Sequence, residues 1–192
     1  DSRIGASFLY AGVGYGGSCF PKDVKALSHT GASHGIRMQI IDAVDDVNRR
    51  QRGALLEKVI HHFGGDISGK TFAVWGLSFK PRTDDIREAP AISLIEGLLS
   101  AGAQVRAFDR AAIPNARAHF GERVGLTFAA DEYAAVEGAH ALLLMTEWAE
   151  FRSPDWSTVE RAMQERVVFD GRNIYIPEQL RERGFTYYGV GR

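Results

Sequence analysis

Thr71-Phe72-Ala73-Val74-Trp75 is a short apolar run closed by Gly76, and its reading decides the fold class. Such a run, bounded by a glycine, reads as a buried strand. Downstream, Ala91 to Leu99 is an amphipathic helix introduced by Pro90 and stopped near Gly102. Gln104-Val105-Arg106-Ala107-Phe108 is a second strand ending at Asp109, and a helix over 112–119 follows. Ala141-Leu142-Leu143-Leu144-Met145, Val167-Val168-Phe169 and Thr186-Tyr187-Tyr188 are three more strands. Strands separated by helical stretches of about 10–15 residues make βαβ units and a mainly parallel sheet, so the class is α/β. Ligands on such sheets bind beyond the carboxyl ends of the strands. The positions just after Trp75, Phe108, Met145 and Phe169 are therefore where a site is expected.

Upstream of the first strand the pattern is helical. Pro21 suits a first helical position, and Val24, Ala26 and Leu27 follow until Gly31. A longer helix reads from Met38 to Phe63, its stripe passing through Ile40, Ile41, Val44, Val47, Leu55, Leu56, Val59 and Ile60 before Gly64-Gly65 end it. At 1.5 Å per residue that is roughly 40 Å, longer than a small domain is wide, and a helix of that length spans domains or builds an oligomer interface. Asn48 and Gln51 continue the stripe and read as polar groups satisfied at a helix–helix contact rather than as ligands.

Composition bounds the function. The chain has 192 residues, 45% hydrophobic and 24% charged, which is globular and not disordered. Lys and Arg number 23 against 24 Asp and Glu, so a general nucleic-acid binder is not expected. One cysteine makes no internal disulfide and no Cys-rich metal site, which points to a reducing, cytoplasmic compartment and no metal. No apolar run approaches the roughly 20 residues of a membrane span. The first residue is Asp1, and the chain reads as a piece of something longer.

Glycine is the outlier, at 21 residues. Four of them, Gly12, Gly14, Gly16 and Gly17, precede the single cysteine. Gly12-Val13-Gly14-Tyr15-Gly16-Gly17 matches G-x-G-x-x-G letter for letter, but no clear strand leads in and Cys-Phe-Pro intervenes before the helix, so it is not a dinucleotide fingerprint. Packed glycines let backbone approach a ligand, which makes Cys19 worth pursuing. A helix start and a neighbouring Lys22 favour a thiolate there, while Asp23 opposes it; the alternative is a small buried hydrophobe. None of the six histidines is close to Cys19 in sequence, and they read as structural. The connection from Gly76 to Glu88 is long and carries Lys80, Arg82 and Arg87, able to contact a phosphorylated ligand. It reads equally as a solvated loop, with Arg87 paired to Asp84 or Asp85.

Gly14-Tyr15-Gly16-Gly17-Ser18-Cys19-Phe20-Pro21-Lys22-Asp23 resembles the catalytic-cysteine segment of the nucleotide-sugar dehydrogenases, the UDP-glucose/GDP-mannose dehydrogenase family. The stretch from Gly76 to Pro90 resembles their second signature, and Arg3-Ile4-Gly5 and Asp170-Gly171-Arg172-Asn173 agree with it. The resemblance implies a latter part of a helical middle domain over 1–65, with a long dimerisation helix, and a C-terminal Rossmann-like UDP-sugar-binding domain over 66–192. It also implies that an NAD-binding domain, and the family's catalytic lysine and asparagine, belong upstream of this chain.

By the same resemblance the reaction is a four-electron, NAD-dependent oxidation of a UDP-hexose to its uronate. Cys19 is implied as the nucleophile and Asp23 as its aid in handling water and protons. Phe8, Leu9, Tyr10, Ala11, Gly12 and Gly16 are implied along the sugar nucleotide, with Phe79, Lys80 and Arg172 as further contacts and Arg3 reaching the partner subunit's substrate. Lys22 and Arg87 are implied as NAD contacts, and the assembly as a homodimer. UDP-glucose is favoured by the wording around Phe79-Lys80-Pro81 and Arg3-Ile4-Gly5. The alternatives are a relative acting on UDP-N-acetylhexosamine or GDP-mannose, a non-catalytic sugar-nucleotide-binding or dimerisation module, and a cysteine hydrolase, which lacks a histidine partner.

Overall fold

The structure is a computed structural model and describes residue 5 and residues 9–191. Arg3, Ile4 and Phe8 lie outside the described residues.

Two helices come first, α1 (Phe20–Ser33) and α2 (Gln39–His62). Pro21 sits in the first turn of α1, where its missing N–H leaves no bond unmade. The helix does not stop at Gly31 but continues two residues, because Gly31 lies buried against Met38 and needs no side chain there. The alternation then begins: β1 (Thr71–Trp75), α3 (Pro90–Ser100), β2 (Gln104–Phe108), α4 (Ile113–Phe120), β3 (Leu126–Phe128), α5 (Glu132–Val136) and β4 (Ala141–Leu144). It ends with α6 (Ala149–Arg152), α7 (Trp156–Ala162), β5 (Val167–Asp170), α8 (Pro177–Glu182) and β6 (Thr186–Gly189). Asp131 and Asp155 cap α5 and α7 by accepting from the amides of Ala134 and Ser157 at 2.7 and 3.0 Å.

All strand pairs are parallel, in the order β3-β2-β1-β4-β5-β6. This is a doubly wound, Rossmann-like α/β sheet. Strands β1, β4 and β5 are buried on both faces, hence their unbroken apolar runs. Alternate residues divide between two cores. Phe72 and Val74 of β1 join Leu55 and Val59 of α2 and Leu94, Ile95 and Leu98 of α3 on one face. Ala73 and Trp75 face the other way with Leu142, Leu144, Val159 and Leu180, where Trp75 stacks on Phe151 at 5.1 Å. Thus the second half of α2 is part of the sheet's own core. Its first half is not: Ile40 is 80% and Val47 54% exposed. Among the described residues no helix is long and apolar enough to cross a membrane.

The chain runs outward from β1 to β3, then crosses back to β4 beside β1. A crevice opens at such a reversal, beyond the carboxyl ends of the strands. Register places Trp75 beside both Phe108 and Leu144, so the segments leaving β1, β2 and β4 share one rim.

Candidate active site

Asp109, buried at the end of β2, builds the rim. Its Oδ2 accepts from the amides of Leu77 and Ser78 at 2.7 and 3.2 Å, the Ser78 hydroxyl at 3.2 Å and the Trp148 indole at 3.1 Å. Its Oδ1 accepts from the amides of Ala111 and Ala112, both at 2.8 Å. The first residues of the basic loop are thereby fixed, and the Phe79 amide, donating to the Asp85 carbonyl at 3.1 Å, closes the loop on itself. Phe79 and Lys80 stand at its tip, the Lys80 ammonium 5.2 Å from the Phe79 ring centre.

Gly171 and Arg172 follow β5. Arg172 meets Glu147, which follows β4, with Nη2 donating to Oε1 at 2.9 Å and Nε 2.5 Å from Oε2. Glu147 was not singled out by sequence reasoning, although it lies two residues past Met145, where the strand-end rule directs attention.

The glycine loop runs over this rim, held from both sides. The Val13 amide donates to the Gly171 carbonyl at 3.1 Å. From α2, Gln51 donates to the Gly12 carbonyl at 2.7 Å, while Asn48 accepts from the Tyr15 amide at 2.8 Å and donates to its carbonyl at 3.1 Å. Asn48 and Gln51 are satisfied, as expected, but by the loop and not by another helix. The stripe they continue faces irregular backbone, whose unpaired amides and carbonyls call for polar partners. At the far end the Gly17 amide donates to the Arg87 carbonyl at 2.8 Å. Gly17 has φ +86, and a Cβ there would strike the Phe79 ring.

These loops enclose two cavities that adjoin at Gly16–Gly17. One, of about 700 Å³, brings together Tyr10, Gly12, Gly16, Phe79, Lys80 and Arg172, with Glu147 and the exposed apolar face of α2 completing its wall. The other, of about 760 Å³, brings together Cys19, Lys22 and Arg87 with Lys25, Arg52, Glu88 and His119. The expected site residues thus divide into a group around Phe79, Lys80 and Arg172 and a group around the sulfur, with Gly16 lining the first cavity and Gly17 the second. Leu9 and Ala11 are exposed, and Asp23 lines neither cavity.

Cys19 is exposed at the N-cap of α1, its carbonyl accepting from the Asp23 amide at 2.8 Å. The side chains around it are paired. Lys22 lies 2.6 Å from Asp23, which raises the lysine's pKa through the hydrogen bond they share. Arg87 grips Asp85 through Nε at 2.9 Å and Nη2 at 2.7 Å, the surface pairing that was one of its two readings. That hydrogen bond holds the Asp85 carboxyl below its ordinary value. Arg52 reaches Glu88 at 2.6 Å and lowers its pKa the same way. Burial, then the charge of Asp45, pushes the Tyr15 phenol up. His119, a hundred residues from Cys19 in sequence, shares the sulfur's cavity and lies 3.7 Å from Glu96. Among the described residues no group of three or more His, Cys, Asp or Glu is gathered to hold a metal ion.

Comparison with known proteins identifies the family. The UDP binding domain of the UDP-glucose/GDP-mannose dehydrogenase family matches residues 73–177, and that family's central domain matches residues 1–50. A UDP-glucose 6-dehydrogenase of Pseudomonas aeruginosa is 49% identical over 100% of this chain and 43% of its own length. One from Rhizobium meliloti is 43% identical over the same shares. A solved UDP-glucose dehydrogenase from the archaeon Pyrobaculum islandicum superposes with a TM-score of 0.84 at 34% identity, covering 99% of this chain and 41% of that one. A GDP-mannose dehydrogenase from Pseudomonas aeruginosa, at 22% identity, shares the fold with a TM-score of 0.73 over 99% of this chain and 43% of that one. The chain spans less than half the length of these relatives. With both family domains matched in order and relatives near half identity along its whole length, the chain belongs to the UDP-glucose/GDP-mannose dehydrogenase family.

Proposed function

We propose that this chain is the substrate-binding and nucleophile-bearing part of an NAD-dependent dehydrogenase that oxidises UDP-glucose to UDP-glucuronate. The observation that carries the reading is the convergence of Gly12, Gly16, Phe79, Lys80 and Arg172 on one cavity that adjoins the sulfur's cavity at the Gly16–Gly17 ridge. Lys80 and the free edge of Arg172 supply charge for a diphosphate, and the glycines leave room for a hexose against bare backbone. The sugar's terminal carbon then comes over the ridge toward Cys19.

Lys22 and Arg87 fit the role of contacts to the phosphates of a dinucleotide: both cations line the sulfur's cavity. NAD, when bound, supplies a hydride acceptor for the sugar's C6, used twice over the four-electron oxidation. At the aldehyde level the Cys19 thiolate adds to C6, forming a carbon–sulfur bond and an oxyanion that takes a proton. At the acid level the same bond is a thioester, and water displaces the sulfur to leave the carboxylate. An exposed sulfur, reachable by both the sugar and water, suits both steps. Asp23, held by Lys22 at the helix start, handles water and protons nearby.

The chain acts in a cytoplasmic homodimer. The apolar face of α2 at Ile40, Val44 and Val47 is exposed and supports that assembly, which light scattering at micromolar concentration checks. A monomer counts against it. Calorimetric titration with UDP-glucose, UDP-N-acetylglucosamine and GDP-mannose tests the substrate. UDP-glucose is to bind most tightly, and no binding of any of the three contradicts the reading. Without the hydride acceptor's domain, this chain alone forms no NADH from UDP-glucose.

A further inference from the structure

The structure assigns to Arg52 and Glu88 a positioning role for Cys19. The assignment rests on the nucleotide-sugar reading above and extends it to two residues whose pairing that reading does not use. Arg52 on α2 joins three segments through one guanidinium. Its Nη1 donates to Glu88 Oε2 at 2.6 Å and its Nη2 to the Tyr15 carbonyl at 3.1 Å, and its side chain is only 16% exposed. Asn48 and Gln51 also hold the glycine loop, but each reaches that loop alone. Arg52 reaches the end of the basic loop as well.

Glu88 is built to receive it. Its φ of +53 is costly for a residue with a side chain, and the turn lays its carbonyl directly over Gly16. Its second carboxylate oxygen faces Lys25 of α1 at 3.3 Å. The carboxylate therefore ties together α2, α1 and the loop that follows β1, beneath the ridge that separates the two cavities. Cys19 lies three residues past Gly16. A guanidinium with one donor on each loop sets how far the ridge stands from Phe79, and so how closely the sulfur meets a ligand in the neighbouring cavity.

Two measurements on this chain test the role, in Arg52→Gln, Glu88→Gln and the conservative Arg52→Lys. Amide hydrogen exchange at residues 16–19 is to quicken about tenfold or more in the two Gln variants, with β1 unchanged, and to stay within about threefold of wild type in Arg52→Lys. Unchanged exchange at residues 16–19 in both Gln variants overturns the assignment. So does faster exchange in β1 as well, since the pair would then support the whole fold. The second readout is alkylation of Cys19, the chain's one thiol, by iodoacetamide. UDP-glucose is to slow it about fivefold or more in wild type and less than about twofold in the Gln variants, with UDP-glucose affinity held within about threefold. Equal protection in wild type and the Gln variants overturns the assignment. If UDP-glucose neither binds nor protects the wild-type chain, the nucleotide-sugar reading fails and the exchange result alone decides the role of the pair.

Discussion

Gly16 and Glu88 meet backbone against backbone: a Cβ on Gly16 would fall well inside 3.0 Å of the Glu88 carbonyl oxygen, closer than real Cβ atoms come. Neither group has a flexible end that can yield. Gly16→Ala is therefore expected to cost about 1–3 kcal/mol, read as a lower urea midpoint. Gly53→Ala, inside α2 with nothing within 4 Å of its Cβ, should stabilise by up to about 1 kcal/mol by the same measurement. Equal effects at the two positions would show that the ridge is not packed as described.

Asp109 gives a second prediction. Its two oxygens take six hydrogen bonds from donors that have turned away from water. Asparagine keeps the shape but points an NH2 group at several of those donors. Asp109→Asn should lower stability by at least about 2 kcal/mol, with the urea midpoint falling and the slope unchanged. Since Leu77 and Ser78 are among the donors, ligand affinity should weaken as well.

The Arg52–Glu88 pair predicts a pH dependence. Arg52 holds the folded Glu88 carboxyl below the ordinary glutamate value of 4.5. A lowered folded pKa contributes stability that is present above the unfolded value and is lost as pH falls through the folded one. The stability gap between wild type and Glu88→Gln should stay constant from about pH 7 to 5 and close toward about pH 3. Thermal unfolding across that range checks it; a gap that widens on acidification contradicts the sign.

Strand placement was legible because β1 and β2 carry apolar runs bounded by glycine and aspartate, and they form over the residues the pattern indicates. Strand β3 was not, because Leu126-Thr127-Phe128 is too short to show a period. The short helices α5, α7 and α8 escaped for the same reason. The stripe along α2 was visible as one feature, yet only tertiary packing decides that Leu55 is buried while Ile40 is not. That Phe79, Lys80 and Arg172 come together was legible through the family resemblance, and they line one cavity. The division of the site by a ridge was not, nor were the partners Glu147 and Arg52, because an ion pair between segments 25 or 36 residues apart leaves no local pattern.

Arg172 provides a binding prediction. Glu147 occupies its Nε and Nη2 and leaves Nη1 beside Gly12. A charged hydrogen bond is worth about 1.5–3 kcal/mol, so Arg172→Ala should weaken UDP-glucose binding about tenfold to a hundredfold by calorimetry. Unchanged affinity would remove Arg172 from the ligand's wall.

The claim that a sugar's terminal carbon is delivered to the sulfur can be tested without any oxidation. The 6-aldehyde of UDP-glucose needs only the cavity and Cys19 to form a reversible adduct, seen as loss of iodoacetamide labelling at that thiol. Protection by the nucleotide-linked aldehyde is expected at concentrations where the matching free glucose dialdehyde gives none, and it should disappear when excess UDP is added. Labelling that proceeds at the same rate with and without the nucleotide-linked aldehyde would contradict it.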